Sequence, residues 1–168
     1  MKPISIFLLV FSFLLASQSQ SQSYRGIHAL NDTVCWVSGS HGTVIKTVDG
    51  GEHWDTISPL GYGQKEFRDI HVYNLNTAVV MSSGDSAVIL KTTDGGLNWR
   101  VVHSNMRPGV FYDAMDVLGP FMVIVGDPFK IEALGIQQFD LIASQDSGET
   151  WNKDFTSTWA GFWEADSG

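Results

Sequence analysis

Three aspartates recur in one short phrase. It reads Thr47-Val48-Asp49-Gly50-Gly51-Glu52-His53-Trp54, then Thr92-Thr93-Asp94-Gly95-Gly96-Leu97-Asn98-Trp99, then Ser144-Gln145-Asp146-Ser147-Gly148-Glu149-Thr150-Trp151. The shared pattern is Ser/Thr-x-Asp-x-Gly-x-x-Trp. Ahead of these phrases stands a second set of reactive side chains: Arg25 and His28, then Arg68, Asp69 and His71, then Tyr112, Asp113 and Asp116. Carboxylates in this number can work as general acids and bases or hold a cation. Arginines suit carboxylate recognition, and histidines suit proton or metal chemistry. A phrase that recurs in every repeat serves what every repeat needs, so Asp49, Asp94 and Asp146 are expected to build turns.

The turn explains each residue type. A tight connection between strands leaves backbone N–H groups without ladder partners, and a short carboxylate can accept them. Thr47, Thr92 and Ser144 add a hydroxyl. Gly51, Gly96 and Gly148 supply positive φ without a Cβ penalty. Trp54, Trp99 and Trp151 fold back over the turn, each with an N–H that needs an acceptor.

The segments between the phrases fall into register. The units open at Tyr24-Arg25-Gly26-Ile27-His28, Phe67-Arg68-Asp69-Ile70-His71 and Phe111-Tyr112-Asp113-Ala114-Met115. Each opening is followed by an apolar run ending at Gly39, Gly84 or Gly126, a third run into the phrase, and a fourth outward from its Trp. That makes four short antiparallel strands per unit, with near-continuous Val/Ile runs that suit burial on both faces. Repeats of this length and strand count predict an all-β fold of β-propeller blades, at about 24–60, 67–105 and 111–155. Asp49 to Asp94 is 45 positions and Asp94 to Asp146 is 52. The extra length lies in Asp127–Gln138, read as a loop inserted between strands two and three. In this register the third counterpart of His28 and His71 is Met115, so packing explains the histidines and no metal site is expected.

The chain has 168 residues, 43% hydrophobic and 17% charged, a single-domain composition. Residues 24–110 carry 8 acidic and 7 basic side chains, whereas residues 111–168 carry 10 and 2. Without clustered Lys/Arg, nucleic acid is not an expected partner. Met1-Lys2, an apolar run from Ile4 to Ala16 and a Ser/Gln stretch have the layout of a signal peptide over 1–22. The run is too short to span a bilayer comfortably. Export and no stable membrane insertion of the mature chain are therefore expected. Cys35 is the only cysteine, so disulfides and Cys-pair zinc sites are excluded, and it is expected to be buried in a strand.

The phrase resembles the Asp-box, or bacterial neuraminidase repeat, carried by propellers of sialidases and other proteins. The wider pattern adds Arg25-Gly26-Ile27-His28, Phe67-Arg68-Asp69-Ile70-His71, Lys46-Thr47, Lys91-Thr92 and Val125-Gly126-Asp127-Pro128. Over about 24–155 it is similar to the photosystem II stability/assembly-factor-like propellers of bacteria. The resemblance implies a seven-bladed ring and a non-catalytic binding or assembly role, with no cofactor. Propellers typically close with four to eight blades, and three units leave an incomplete ring. The chain is therefore expected to be an N-terminal portion of a longer propeller, with self-association as the alternative.

A sialidase-like glycoside hydrolase is the competing function. Phe67-Arg68-Asp69-Ile70 is similar to the sialidase Phe-Arg-Ile-Pro signature but lacks Ile-Pro. The chain has only four arginines, Arg25, Arg68, Arg100 and Arg107, and no Tyr/Glu nucleophile pair can be assigned. Binding of a protein or glycan is the favoured expectation. Its candidate surface is Arg25, His28, Arg68, Asp69, His71, Tyr112, Asp113 and Asp127, with the 127–138 insertion as a specific contact.

Overall fold

The computed structural model describes residues 21–131, 133 and 136–152. The expected signal segment lies almost wholly outside these, as does the tail from Lys153 onward. The described chain contains eleven strands and no helix. β1 (Tyr24–Ala29), β2 (Cys35–Gly39), β3 (Val44–Thr47) and β4 (Asp55–Thr56) form the first sheet; β5 (Glu66–Val72), β6 (Ala78–Ser83), β7 (Ala87–Thr92) and β8 (Arg100–Asn105) form the second; β9 (Tyr112–Leu118), β10 (Phe121–Ile131) and β11 (Ile136–Ser144) form the third. All neighbours pair antiparallel in chain order. In the third unit a single bridge joins Ala143 to Asn152, and the rest of the expected fourth strand lies outside the described residues.

The sheets stack as propeller blades. β5 packs on β1 and β2, and β9 packs on β5 and β6, so the second sheet lies between the other two. Its alternate residues serve two cores. Ala78, Val80, Val88 and Leu90 join Trp36, Val44, Phe67 and Ile70 on one side. Val79, Met81, Ala87 and Ile89 join Tyr112, Met122, Ile124 and Ile142 on the other. Every residue of β6 and β7 is therefore buried, the physical reason for their unbroken apolar runs.

Three expectations change. The 127–138 insertion is not a plain loop. β10 and β11 continue as a two-stranded hairpin, paired from Pro128↔Phe139 to Ile131↔Ile136, because Phe129, Ile131, Ile136 and Phe139 favour extended backbone. The third unit also sits one residue later than aligned. Ala29, Val72 and Val117 pair with Cys35, Ala78 and Met122, which pair in turn with Thr47, Thr92 and Ser144 of the phrases. The counterpart of His28 and His71 is thus Asp116, not Met115. Cys35 is only half-buried. Its counterpart Ala78 is covered by the first sheet, while no described sheet covers the corresponding face around Cys35.

Candidate functional site

The three phrases make one turn with one bonding scheme. The hydroxyl of Thr47, Thr92 or Ser144 donates to Oδ1 of Asp49, Asp94 or Asp146 at 2.7, 2.8 and 2.7 Å. The same hydroxyl accepts the N–H of Gly51, Gly96 or Gly148. Oδ1 also accepts the N–H of His53, Asn98 or Thr150. A contact not visible in the pattern completes the set: the side chains of His53, Asn98 and Thr150 reach Oδ2 at 2.7, 2.8 and 2.6 Å. These bonds favour the charged form. The backbone N–H groups of His53 and Asn98, and the Thr150 hydroxyl, lead in holding the three carboxyls well below the usual range. Carboxylates so committed make poor proton acceptors. Asp49, Glu52 and His53 bring ligand-type atoms within 4.8 Å of one another, but on an exposed turn where Asp49 is already engaged.

A second group of ionisable residues gathers on β1, β5 and β9. The register of β1, β5 and β9 skips one residue each, at Arg25, Arg68 and Asp113. Bulges of this kind re-aim a side chain away from its own ladder. Arg25, Gly26, Ile27, Arg68, Asp69 and Asp113 line one open cleft of about 440 Å³. A smaller cleft of about 110 Å³ shares both arginines and adds Glu66, Ser83, Gly84 and Phe111. Gly26 permits this approach, since a Cβ there would lie 2.5 Å from Ser38 Oγ and 2.7 Å from Asp69 Cα.

Charge alternates across the cleft. Arg25 pairs with Glu66 at 3.3 Å. Arg68 pairs with Asp113 at 3.5 Å, donates from Nε to the Asp113 carbonyl at 3.2 Å, and lies over the Phe111 ring. Asp69 ties adjacent blades by accepting the N–H of Met115 at 3.0 Å and of its neighbour Ile70. Burial raises the Asp69 pKa, and those N–H groups oppose the rise. Burial also raises Asp113, followed by repulsion from Asp127 and opposed by Arg68. Deeper along the strands, the His28 and His71 rings meet edge-on at 4.4 Å, and Tyr73 follows at 4.6 Å. Burial lowers His28 and takes His71 down to about 4.

Thus Arg25, Arg68, Asp69 and Asp113 come together, with Asp127 against Asp113. His28 and His71 lie farther along the same strands. Tyr112 does not belong to the surface. It is fully buried, with its hydroxyl near Asn105 Nδ2 and His103 Nε2, because the one-residue offset gives it the core place that Phe67 holds in the second blade. Glu66 and Phe111 were missed. An alternation of charge on facing strands would have pointed to Glu66; nothing local marks Phe111.

Residues 18–160 match the family described as photosynthesis system II assembly factor YCF48. The chain belongs to that family. A solved YCF48 bound to a D1 peptide is similar over 78% of this chain and 39% of its own length, with TM-score 0.59 and 17% identity. YCF48 from Cyanidioschyzon merolae gives the same coverage, with TM-score 0.57 and 20% identity. This chain therefore spans about two fifths of the length of the YCF48 structures it matches. The GH74 xyloglucanase of Xanthomonas campestris shares the fold at TM-score 0.51 and 14% identity, over 71% of this chain and 18% of that one. No curated protein matches.

Proposed function

We propose that this YCF48-family chain is an exported, non-catalytic scaffold that binds a polypeptide segment in the cleft between Arg25 and Arg68. The carrying observation is that two arginines at equivalent bulges line one cleft, each ion-paired with a partly exposed carboxylate. Such pairs are weak, so a ligand carboxylate can replace Glu66 or Asp113 at small cost. The D1 peptide bound by a YCF48 relative supports a peptide as the class of ligand. Export rests on the 1–22 pattern, and no helix among the described residues is long and apolar enough to cross a membrane. Further blades, from a longer chain or from a second copy, would cover the outward faces of the first and third sheets.

The test is a library of octapeptides with free carboxyl ends, screened against the full chain. The best binder is then titrated against Arg25→Gln and Arg68→Gln. Each variant should weaken binding by about tenfold or more, the loss expected for a charge-assisted bond. Unchanged affinity in both would remove the cleft from the function. Glycan binding or hydrolysis is kept as a second reading because Asp69 and Asp113 line the same cleft. Turnover of fluorogenic glycosides that disappears in Asp69→Asn would establish it instead.

A further inference from the structure

In the first two blades, strands two and three are four to six residues long. In the third they are eleven and nine. β9 stops pairing with β10 at Tyr112↔Gly126, and Asp127 donates its N–H to the Phe111 carbonyl at 2.8 Å. Beyond that point four more residue pairs continue between β10 and β11, with no third strand beside them among the described residues. The arm stands about 13 Å past the blade, at roughly 3.3 Å per residue.

A lone two-stranded hairpin is marginal in water, and this one is anchored. The Arg107 guanidinium lies over the Phe129 ring at 4.0 Å and pairs with Asp140 at 2.5 Å. Asp140, almost fully buried, also accepts from Asn105 Nδ2 at 3.0 Å, and Asn105 Nδ2 lies 3.2 Å from the Tyr112 hydroxyl. The corresponding positions of the other blades are Val88 and Thr43, so this network exists only where the arm does. The base of the arm adjoins the cleft: Asp127 lies against Asp113, and Phe111 sits under Arg68.

From this placement we infer that the arm is the second half of the peptide site. An extended peptide held in the Arg25/Arg68 cleft continues along β10 and pairs its backbone with the edge at Phe129 and Ile131. Exposed strand edges template such addition, with main-chain bonds giving affinity and alternate side chains giving choice. The inference rests on the cleft reading above and adds the extended form of the ligand and its direction past Asp127.

The experiment takes the best library octapeptide and remakes it with N-methyl groups at alternate backbone nitrogens. It is measured by fluorescence polarisation on the full chain and on a variant with residues 129–138 replaced by Gly-Gly. Both changes should weaken binding by about tenfold, since each removes several backbone bonds. If both leave the affinity unchanged while Arg25→Gln abolishes it, the arm has no part and the cleft alone binds. If no library peptide binds, cleft and arm fall together. Should the shortened variant not fold, judged by its thermal melt, the methylated peptide decides: weakened binding to the full chain supports pairing, and unchanged binding overturns it.

Discussion

At the residue scale, the two classes of ionisable side chain differ in what surrounds them. The phrase aspartates are saturated with N–H and O–H donors, whereas burial between the strands lowers the pKa of His28 and His71. A free imidazole titrates near 6.5, and in the folded chain His71 does so at about 4. The unfolded chain therefore takes up the proton first. The stability contributed by neutral His71 is complete above about pH 6.5 and is lost as pH falls toward 4. His71→Phe should flatten the fall of the urea midpoint over that window, and an unchanged slope would refute the assignment. Asp140 carries a different cost. Asp140→Ala removes the acceptor of the partly exposed Arg107 and of the buried Asn105 amide, and should lower stability by about 1–3 kcal/mol in equilibrium unfolding.

At the scale of elements, the blades are joined by a repeated latch. Lys46 on β3 donates to the Gly95 carbonyl of the next turn at 3.1 Å and lies over the Trp36 ring. Lys91 on β7 does the same to Ser147 at 2.8 Å, adding an ion pair with Glu149 at 2.7 Å. The counterpart on β11 is Ala143, so the third sheet has no such latch to offer. Lys91 is almost fully buried, and Lys91→Ala should cost about 1–3 kcal/mol by stranding its acceptors. The turns impose their own limit. Gly96 has φ +92°, and a Cβ there would lie 2.7 Å from Ile57 Cδ1 of the preceding blade. Gly84 has φ +86° with nothing within 4 Å. Gly96→Ala should therefore lower the melting temperature clearly more than Gly84→Ala, which bears only the roughly 1–2 kcal/mol of left-handed strain. Equal losses would show that the blade contact is not tight.

At the scale of the whole molecule, equivalent residues have unequal surroundings because only the second blade has a described neighbour on both sides. Ile27 is 69% exposed and its counterpart Ile70 is 3% exposed. Trp99 donates its indole N–H to Ile57 of the preceding blade at 2.9 Å, while Trp54 turns back to its own Gly51 carbonyl and is 41% exposed. In the chain of 168 residues, Ile27→Ser should change stability by less than about 0.5 kcal/mol. Ile70→Ser should cost about 3–4 kcal/mol. A large loss at Ile27 would mean that another surface covers the first sheet in solution.

Much of this architecture was legible in the linear chain. The thrice-written phrase determined the all-β blades, because a turn with fixed donors, acceptors and positive φ admits few residue types at few spacings. The same logic directed attention away from Asp49, Asp94 and Asp146 and toward Arg25, Arg68, Asp69 and Asp113. Three things needed the tertiary structure. The β9–β10 turn is one residue shorter than its counterparts, with Val117 and Met122 five positions apart where Val72 and Ala78 are six. Aligning the units on their opening aromatics hides this, so Tyr112 passed for a surface residue and Met115 for the counterpart of two histidines. The 127–138 stretch reads as an insertion whether it loops or pairs, and only the Arg107–Asp140–Phe129 anchor makes it an arm. The cleft itself exists because separate strands, more than forty positions apart in sequence, place Arg25, Arg68 and Asp113 side by side. Local chemistry fixes turns and strands, whereas proximity between strands is a property of how the blades stack.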